Sequence, residues 1–92
     1  MRIRWTDPAL RDFTQICDYI ERHGSAGVAR RVSISIYGQI SDLFRFPELG
    51  RTGRKPETRE LVLSGLPYIA IYRVQVNEIQ ILRLLHGAQQ WP

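Results

Sequence analysis

Apolar side chains along this chain follow two rhythms, and the change from one to the other falls past its middle. Leu10, Phe13, Ile16, Cys17 and Ile20 recur at three- and four-residue steps, one stripe of an amphipathic helix. Val28, Val32, Ile36, Ile40 and Leu43 form a second such stripe, widened by Ala29, Ile34, Tyr37 and Phe44. β-Branched residues weaken helix propensity there, but the four-residue spacing favours helix over strand. From Arg59 the period shortens to two. Arg59 to Ser64 (RELVLS) and Tyr68 to Val76 (YIAIYRVQV) read as strands. Glu78 to Leu85 (EIQILRLL) is a nearly continuous apolar run broken by one arginine, the pattern of an interior strand buried on both faces. At the other end of the chain, Arg2 to Trp5 (RIRW) alternates and predicts a short first strand.

The punctuation between these runs fixes their order. Thr6-Asp7-Pro8 predicts a helix start, with Asp7 as cap and Pro8 at the first helical position. Gly24 is expected to end the first helix in a left-handed conformation, and Ser25 to start the second. Gly38 is expected to let the second helix pack closely on the first. Phe46-Pro47 stops it. Glu48 to Thr58 (ELGRTGRKPET) carries two glycines, a proline and three cations, and predicts a mobile cationic loop. Turns at Gly65-Leu66-Pro67 and Val76-Asn77-Glu78 make the last three strands an antiparallel meander. The fold expected is α+β, in the order β-α-α-β-β-β. A mostly antiparallel four-stranded sheet packs on a helical hairpin, as one domain over residues 1–92.

Composition narrows the classes. Apolar residues make up 43% of the chain, enough for a modest core, and no run approaches a membrane span or a signal segment. One cysteine, Cys17, on an apolar helix face, predicts inert packing in a reducing compartment. A cytoplasmic protein is expected. The net charge is +4, and twelve of thirteen basic residues are arginine, whose planar fork suits phosphate and carboxylate. Nucleic acid, a phosphate-rich machine or an acidic protein would each fit as partner.

Metal-ligand spacing, phosphate-binding glycine loops and nucleophile elbows are absent, so neither metal nor cofactor is expected. What remains is Arg59, Arg73, Arg83 and His86 on adjacent strands, beside a loop carrying Arg51, Arg54 and Lys55. Strict alternation puts Ile79, Ile81, Arg83 and Leu85 on one face, with Leu82, Leu84 and His86 on the other. Symmetric pairing about Asn77-Glu78 sets Val76 against Ile79 and Arg73 near Leu82. Metal-free RNA cleavage needs a base, an acid and cations around the phosphate. His86 could be acid or base, Glu57 the second proton-transfer group, and Arg83, Arg73 or Arg59 the charge stabiliser. The alternative is structural: His86 bonds at a strand end and the arginines pair with Glu60 or Glu78.

The opening DPALRDFTQICDYI, the strand PYIAIYRV and the ending IQILRLLHGAQQW, in this order and spacing, resemble the RelE/ParE superfamily of toxins over nearly the whole chain. The resemblance implies a bacterial toxin of a type II (plasmid-stabilisation) toxin–antitoxin module, inhibiting growth and neutralised by a cognate antitoxin. RelE-like members cut mRNA in the ribosome; ParE-like members act on DNA gyrase and are not nucleases. His86 matches a catalytic histidine of some ribonuclease members and Glu57 a catalytic glutamate. Ile69 stands where those members have an arginine, and Gly87 where they have an aromatic. The HGAQQW ending is closer to ParE-like members, so gyrase inhibition without catalysis is expected. The alternatives are an mRNA endoribonuclease and a non-toxic antitoxin-binding module. Arg51, Arg54, Lys55 and Arg59 are the expected target or nucleic-acid contacts, and Tyr19 and Trp91 the apolar anchors for the antitoxin. An acidic antitoxin segment could lie as a helix beside the hairpin or add a strand to a sheet edge.

Overall fold

The computed structural model describes residues 1–87, and in it the two rhythms become two layers. The elements run β1 (Arg2–Trp5), α1 (Asp7–His23), α2 (Ala26–Ser41), β2 (Arg51–Thr52), β3 (Arg59–Val62), β4 (Tyr68–Val74) and β5 (Glu78–His86), with a single 3-10 turn at Asp42–Phe44 prolonging α2. The sheet has five strands, not four, in the order β1-β5-β4-β3-β2. The extra strand is β2, inside the segment expected to be an irregular mobile loop. It pairs with β3 through Arg51 opposite Glu60 and Thr52 opposite Arg59. The β3-β4-β5 meander is antiparallel as expected, whereas β1 runs parallel to β5, Arg2 opposite Glu78 and Trp5 opposite Ile81.

The helical hairpin covers one face of this sheet. Ala9, Ile36, Ile40 and Leu43 from the helices meet Leu61, Leu63, Ala70, Tyr72, Ile79, Ile81 and Leu84 from the sheet, all buried. Burying a large aliphatic side chain stabilises by about 1.5–3 kcal/mol, so this one cluster carries the hydrophobic stabilisation of the domain. β5 is interior, and its consecutive Leu84 and Leu85 are both buried, as a strand covered on two faces requires.

The register of β5 departs from strict alternation. Its turn is centred one residue earlier than symmetric pairing predicts: Val74, not Val76, lies opposite Ile79, and Arg73 lies opposite Gln80 rather than near Leu82. Tyr72 pairs with Ile81 and Ile71 with Arg83, so Leu82 is an extra residue, a bulge. The bulge inverts the pattern beyond it. Leu84 joins Ile79 and Ile81 in the core, and Arg83 leaves the face it was expected to share with them.

Three helix signals also resolve differently. Thr6 caps α1, its side chain accepting from the Ala9 amide, and Asp7 is the first helical residue. Gly24 ends α1 with φ −136°, so no left-handed residue is needed; a Cβ there would sit 3.0 Å from the Ile20 carbonyl oxygen. Gly38 is exposed, and a Cβ on it would meet nothing within 4 Å, so it serves no close helix contact. Gly38→Ala should therefore raise stability by about 0.5–1 kcal/mol, seen as a higher urea midpoint at unchanged slope.

Candidate functional site

Strand pairing decides which charged residues meet. Arg73 and Ile71 are alternate residues of β4, and Arg83 lies opposite Ile71. The two arginines thus occupy neighbouring positions, but their guanidinium groups serve different partners. Arg73 Nε donates to Gln80 Oε1 at 2.6 Å. The Gln80 amide in turn donates to Glu78, which also accepts from Arg4 Nε at 3.0 Å and Arg2 Nη2 at 3.2 Å. This chain of bonds ties β4, β5 and β1 together.

Hydrogen bonds from Gln80 first, then from Arg4 and Arg2, hold the Glu78 carboxyl at about 2, well below its ordinary 4.5. A carboxyl lowered in the folded state contributes stability that is fully present above its unfolded pKa and is lost as pH falls through the folded one. Glu78→Gln should accordingly melt below the parent at pH 6, and the gap should close between about pH 4.5 and 2, as followed by melts across that range.

Arg83 turns the other way. β1 pairs with β5 only as far as Ile81, and the start of α1 occupies the edge beyond it. There the Thr6 amide donates to the Ile81 carbonyl, and its hydroxyl lies within reach of both Ile81 and Leu82 carbonyls. Asp12 accepts Arg83 Nε at 2.7 Å, Arg83 Nη2 at 3.1 Å and the Leu84 amide at 2.9 Å. The carboxylate completes the sheet edge where a strand is missing, and it pushes the Arg83 pKa up. Asp12 lies off the apolar stripe of α1 and reads in sequence as water-facing; nothing local marks it as the partner of a residue 71 positions away.

His86 ends β5 opposite Tyr68, the rings 6.0 Å apart and edge-on. Glu57 precedes β3, whose Arg59 pairs with Tyr72. The Tyr68 and Tyr72 levels are four residues apart on β4, ~13 Å at ~3.3 Å per residue, and Glu57 lies beyond the second. The structure therefore brings Arg73 near Arg83 and leaves His86 and Glu57 at opposite ends of the strands. Glu57 itself adopts φ 62°, a left-handed conformation uncommon for a side-chain-bearing residue.

The cations before β3 are organised around one buried carboxylate, Glu60. It accepts from Arg51 Nη2 at 3.1 Å and from the Arg54 amide at 3.2 Å, with Arg54 Nε 4.0 Å away. Arg59 Nη1 donates to the Gly50 carbonyl at 2.8 Å, and Lys55 accepts two bonds from Thr58 at its carbonyl. Tyr72 fixes the same segment from below. Fully buried, its hydroxyl donates to the Pro47 carbonyl at 2.7 Å and accepts from the Gly50 amide at 2.8 Å. Burial is the main cause raising its pKa.

The same segment borders a cleft of about 1090 Å³, lined by residues 45–49, Thr52, residues 57–59 and the end of the β4 hairpin. Sequence reading had no means to find it, because its walls come from four separate stretches. Cys17 is half-buried, and burial, with Asp18 beside it, raises its thiol pKa, which disfavours the reactive thiolate. Tyr19 is exposed, its ring 4.3 Å from that of His23 and tilted by 36° to it. Trp91 lies outside the described residues. Among the described residues no cluster of His, Cys, Asp or Glu could hold a metal ion, and no helix is long and apolar enough to cross a membrane.

The chain as a whole has clear relatives. The family model described as the ParE toxin of the type II toxin–antitoxin system, parDE, matches residues 3–91. "Putative toxin Y4kP" of Sinorhizobium fredii (strain NBRC 101917 / NGR234) is 44% identical over 91 residues, covering 99% of this chain and 93% of that one. "Toxin RelE2" of Caulobacter vibrioides (strain ATCC 19089 / CIP 103742 / CB 15) is 34% identical over 88 residues, covering 96% and 97%. A solved chain of the "Chromosomal ParDE TA system from P. aeruginosa" superposes with a TM-score of 0.86 at 31% identity, covering 94% of this chain and 95% of that one. Sequence, length and fold agree: this chain belongs to the ParE toxin family of type II toxin–antitoxin systems, within the RelE/ParE superfamily.

Proposed function

We propose that this protein arrests bacterial growth by binding DNA gyrase in the cytoplasm, without cleaving RNA, and that a cognate antitoxin neutralises it. One observation carries the non-catalytic half of this reading: the candidate acid–base groups do not converge. His86 and Glu57 lie at opposite ends of the strands, and Arg83 is committed to Asp12 in a two-pronged pair. A metal-free nuclease needs its acid, base and cations around one phosphate. The cations that do face outward, Arg51 and Arg54 with Lys55 and Arg59 beside them, form a positive surface before β3, the proposed contact for the gyrase target. The match to the ParE family model supports the same choice.

The antitoxin reading rests on exposed apolar side chains along the hairpin. Ile34 and Tyr37 on α2 and Phe44 in the 3-10 turn that prolongs it are exposed, and Tyr19 stands out from α1. A monomer seldom leaves such a group bare, and an amphipathic partner segment would cover it.

Induction of the chain alone should stop growth, with gyrase supercoiling inhibited and mRNA intact by primer extension. His86→Ala should stay fully toxic. Position-specific mRNA cuts that vanish in His86→Ala would replace this reading with the ribonuclease one, and normal growth at verified expression would leave only a binding module.

A further inference from the structure

The helices cover one face of the sheet, and the positive charge of the chain collects on the other. The helices themselves are neutral: Arg11, Arg22, Arg30 and Arg31 are balanced by Asp7, Asp12, Asp18 and Glu21. Strand neighbours alternate faces, and Ile3, Leu61 and Tyr72 pack into the helix-facing core, so Arg2, Arg4, Glu60 and Arg73 turn the other way. Arg51 lies opposite Glu60, and Arg54 Nε is 4.0 Å from its carboxylate, so both join this face. Against these five arginines stand two carboxylates, Glu60 and Glu78. The face therefore holds +3 of the chain's net +4. Arg83, held by Asp12, adds no free fork to it.

Strand register sets these arginines in a band. Arg4 lies opposite Gln80, and Gln80 opposite Arg73; two residues along β4, Ile71 lies opposite Glu60, and Glu60 opposite Arg51. The band crosses all five strands, four spacings of ~4.8 Å and so ~19 Å in all. Its two ends have the same build. Arg2 and Arg4 share Glu78 at 3.2 and 3.0 Å, and Arg51 and Arg54 share Glu60 at 3.1 and 4.0 Å. Each end keeps one positive charge beyond its carboxylate. Arg73, between them, is held by the neutral Gln80 and keeps its own. The side chains of Arg2, Arg4, Arg51 and Arg54 are 72%, 44%, 59% and 68% exposed. Beside them Ile69, Ile71 and Leu85 line a dimple of about 20 Å³ with Arg54 and Glu60. Small-molecule sites start at roughly 300 Å³, so this face suits an extended anionic surface instead.

We infer that this face binds the phosphate backbone of duplex DNA. Guanidinium forks match phosphate oxygens, and a duplex presents one phosphate per ~1.7 Å of its axis. The band, ~19 Å long, exceeds the ~12 Å width of the major groove. A face this wide cannot enter the groove and lies across it. Arg2 and Arg4 meet the backbone on one rim, Arg51 and Arg54 the backbone on the other, with Arg73 between them. Contacts of this kind position a protein on DNA without reading its sequence. The inference rests on the gyrase reading and deepens it: the DNA is the segment that gyrase holds. Arg2, Arg4 and Arg73, which also tie the strands together, thereby become part of the target surface.

The test is fluorescence anisotropy of the intact protein, without gyrase, on a fluorescein-labelled duplex of about two helical turns, longer than the band. The logarithm of the affinity should fall against that of the salt concentration with a slope of about −2 to −3, as two or three phosphates are neutralised. Arg2→Gln/Arg54→Gln takes one charge from each end of the band. It should weaken binding at least about tenfold and flatten the slope by about 2. Arg30→Gln/Arg31→Gln takes the same charge from exposed positions of α2 and should change the affinity less than about twofold. All four side chains are exposed, and exposed ion pairs contribute little to folding, so both double variants fold. No saturable binding at low salt, equal losses in the two double variants, or tighter binding of a single strand or an RNA duplex would each overturn the inference. Inhibition of supercoiling is scored separately. A chain that inhibits gyrase yet ignores DNA sinks the DNA contact alone, and one that binds DNA through this face and leaves supercoiling untouched sinks the gyrase reading alone.

Discussion

Asp12→Ala should lower the unfolding free energy by about 3 kcal/mol, the largest loss expected from any exchange of a polar side chain in this domain. The carboxylate holds three donors: two guanidinium nitrogens of Arg83 and the amide of Leu84. Both charged groups are largely shielded, at 12% exposure for Asp12 and 27% for Arg83. Removing the acid strands a cation against α1 and leaves an amide of the sheet edge unpaired, and each costs more than an ordinary surface bond. For a domain of this size the melting temperature should fall by about 12–24 °C. The double variant Asp12→Ala/Arg83→Met distinguishes the two costs. It removes the stranded cation, so it should melt above Asp12→Ala, though below the parent because the Leu84 amide is still unpaired. Equal melting of the two would mean that the lost stability lies in the backbone bond alone. Urea unfolding of parent, single and double variants closes the cycle.

Tyr72→Phe is the second. It deletes one oxygen and keeps the ring, yet it leaves the Gly50 amide and the Pro47 carbonyl without the group that joined them. Gly50 is buried, so water cannot replace the donor without opening the segment. A loss of about 2 kcal/mol follows. The structural effect is local: the 45–50 segment, one wall of the cleft, loses its anchor while α1 and the β4–β5 pair are untouched. Amide exchange should therefore rise at residues 46–50 by far more than in β5. Uniform acceleration across the chain would mean that Tyr72 acts on global stability only. Gly50 also explains its own smallness, for a Cβ there would lie 2.7 Å from the Tyr72 ring.

Much of this molecule is legible in its sequence because its signals are local. Leu10, Phe13 and Ile16 announce a helix at any site, and the turn residues between Arg59 and His86 announce a meander. The elements that escape are those whose cause is distant. β2 is two residues long among glycines and exists only because Glu60 and Tyr72 hold it from neighbouring strands. The parallel pairing of β1 with β5 has no turn to advertise it. The bulge at Leu82 leaves no mark in the composition of EIQILRLL, yet it reassigns Arg83 to the opposite face. For the site, the cations before β3 stand out as a cluster in sequence, but their sharing of Glu60 does not. His86 and Glu57 are near neighbours in a reading by strand order and far apart once register is fixed. The partner of Arg83 comes from the first helix, where Asp12 sits among other polar residues with nothing to single it out.

The pairing of β1 with β5 has a consequence for how the chain is made. Arg2 leaves the ribosome well before Glu78, the residue it pairs with. Until β5 emerges, β1 has no neighbour, Asp12 has nothing to hold, and the helical hairpin has only part of its sheet to cover. The helices rest on local contacts, whereas joining Arg2 to Glu78 closes a loop over most of the chain, at an entropic cost that grows with loop length. An incomplete nascent chain is thus a helical hairpin with an exposed apolar face, open to capture before the sheet that completes the fold exists.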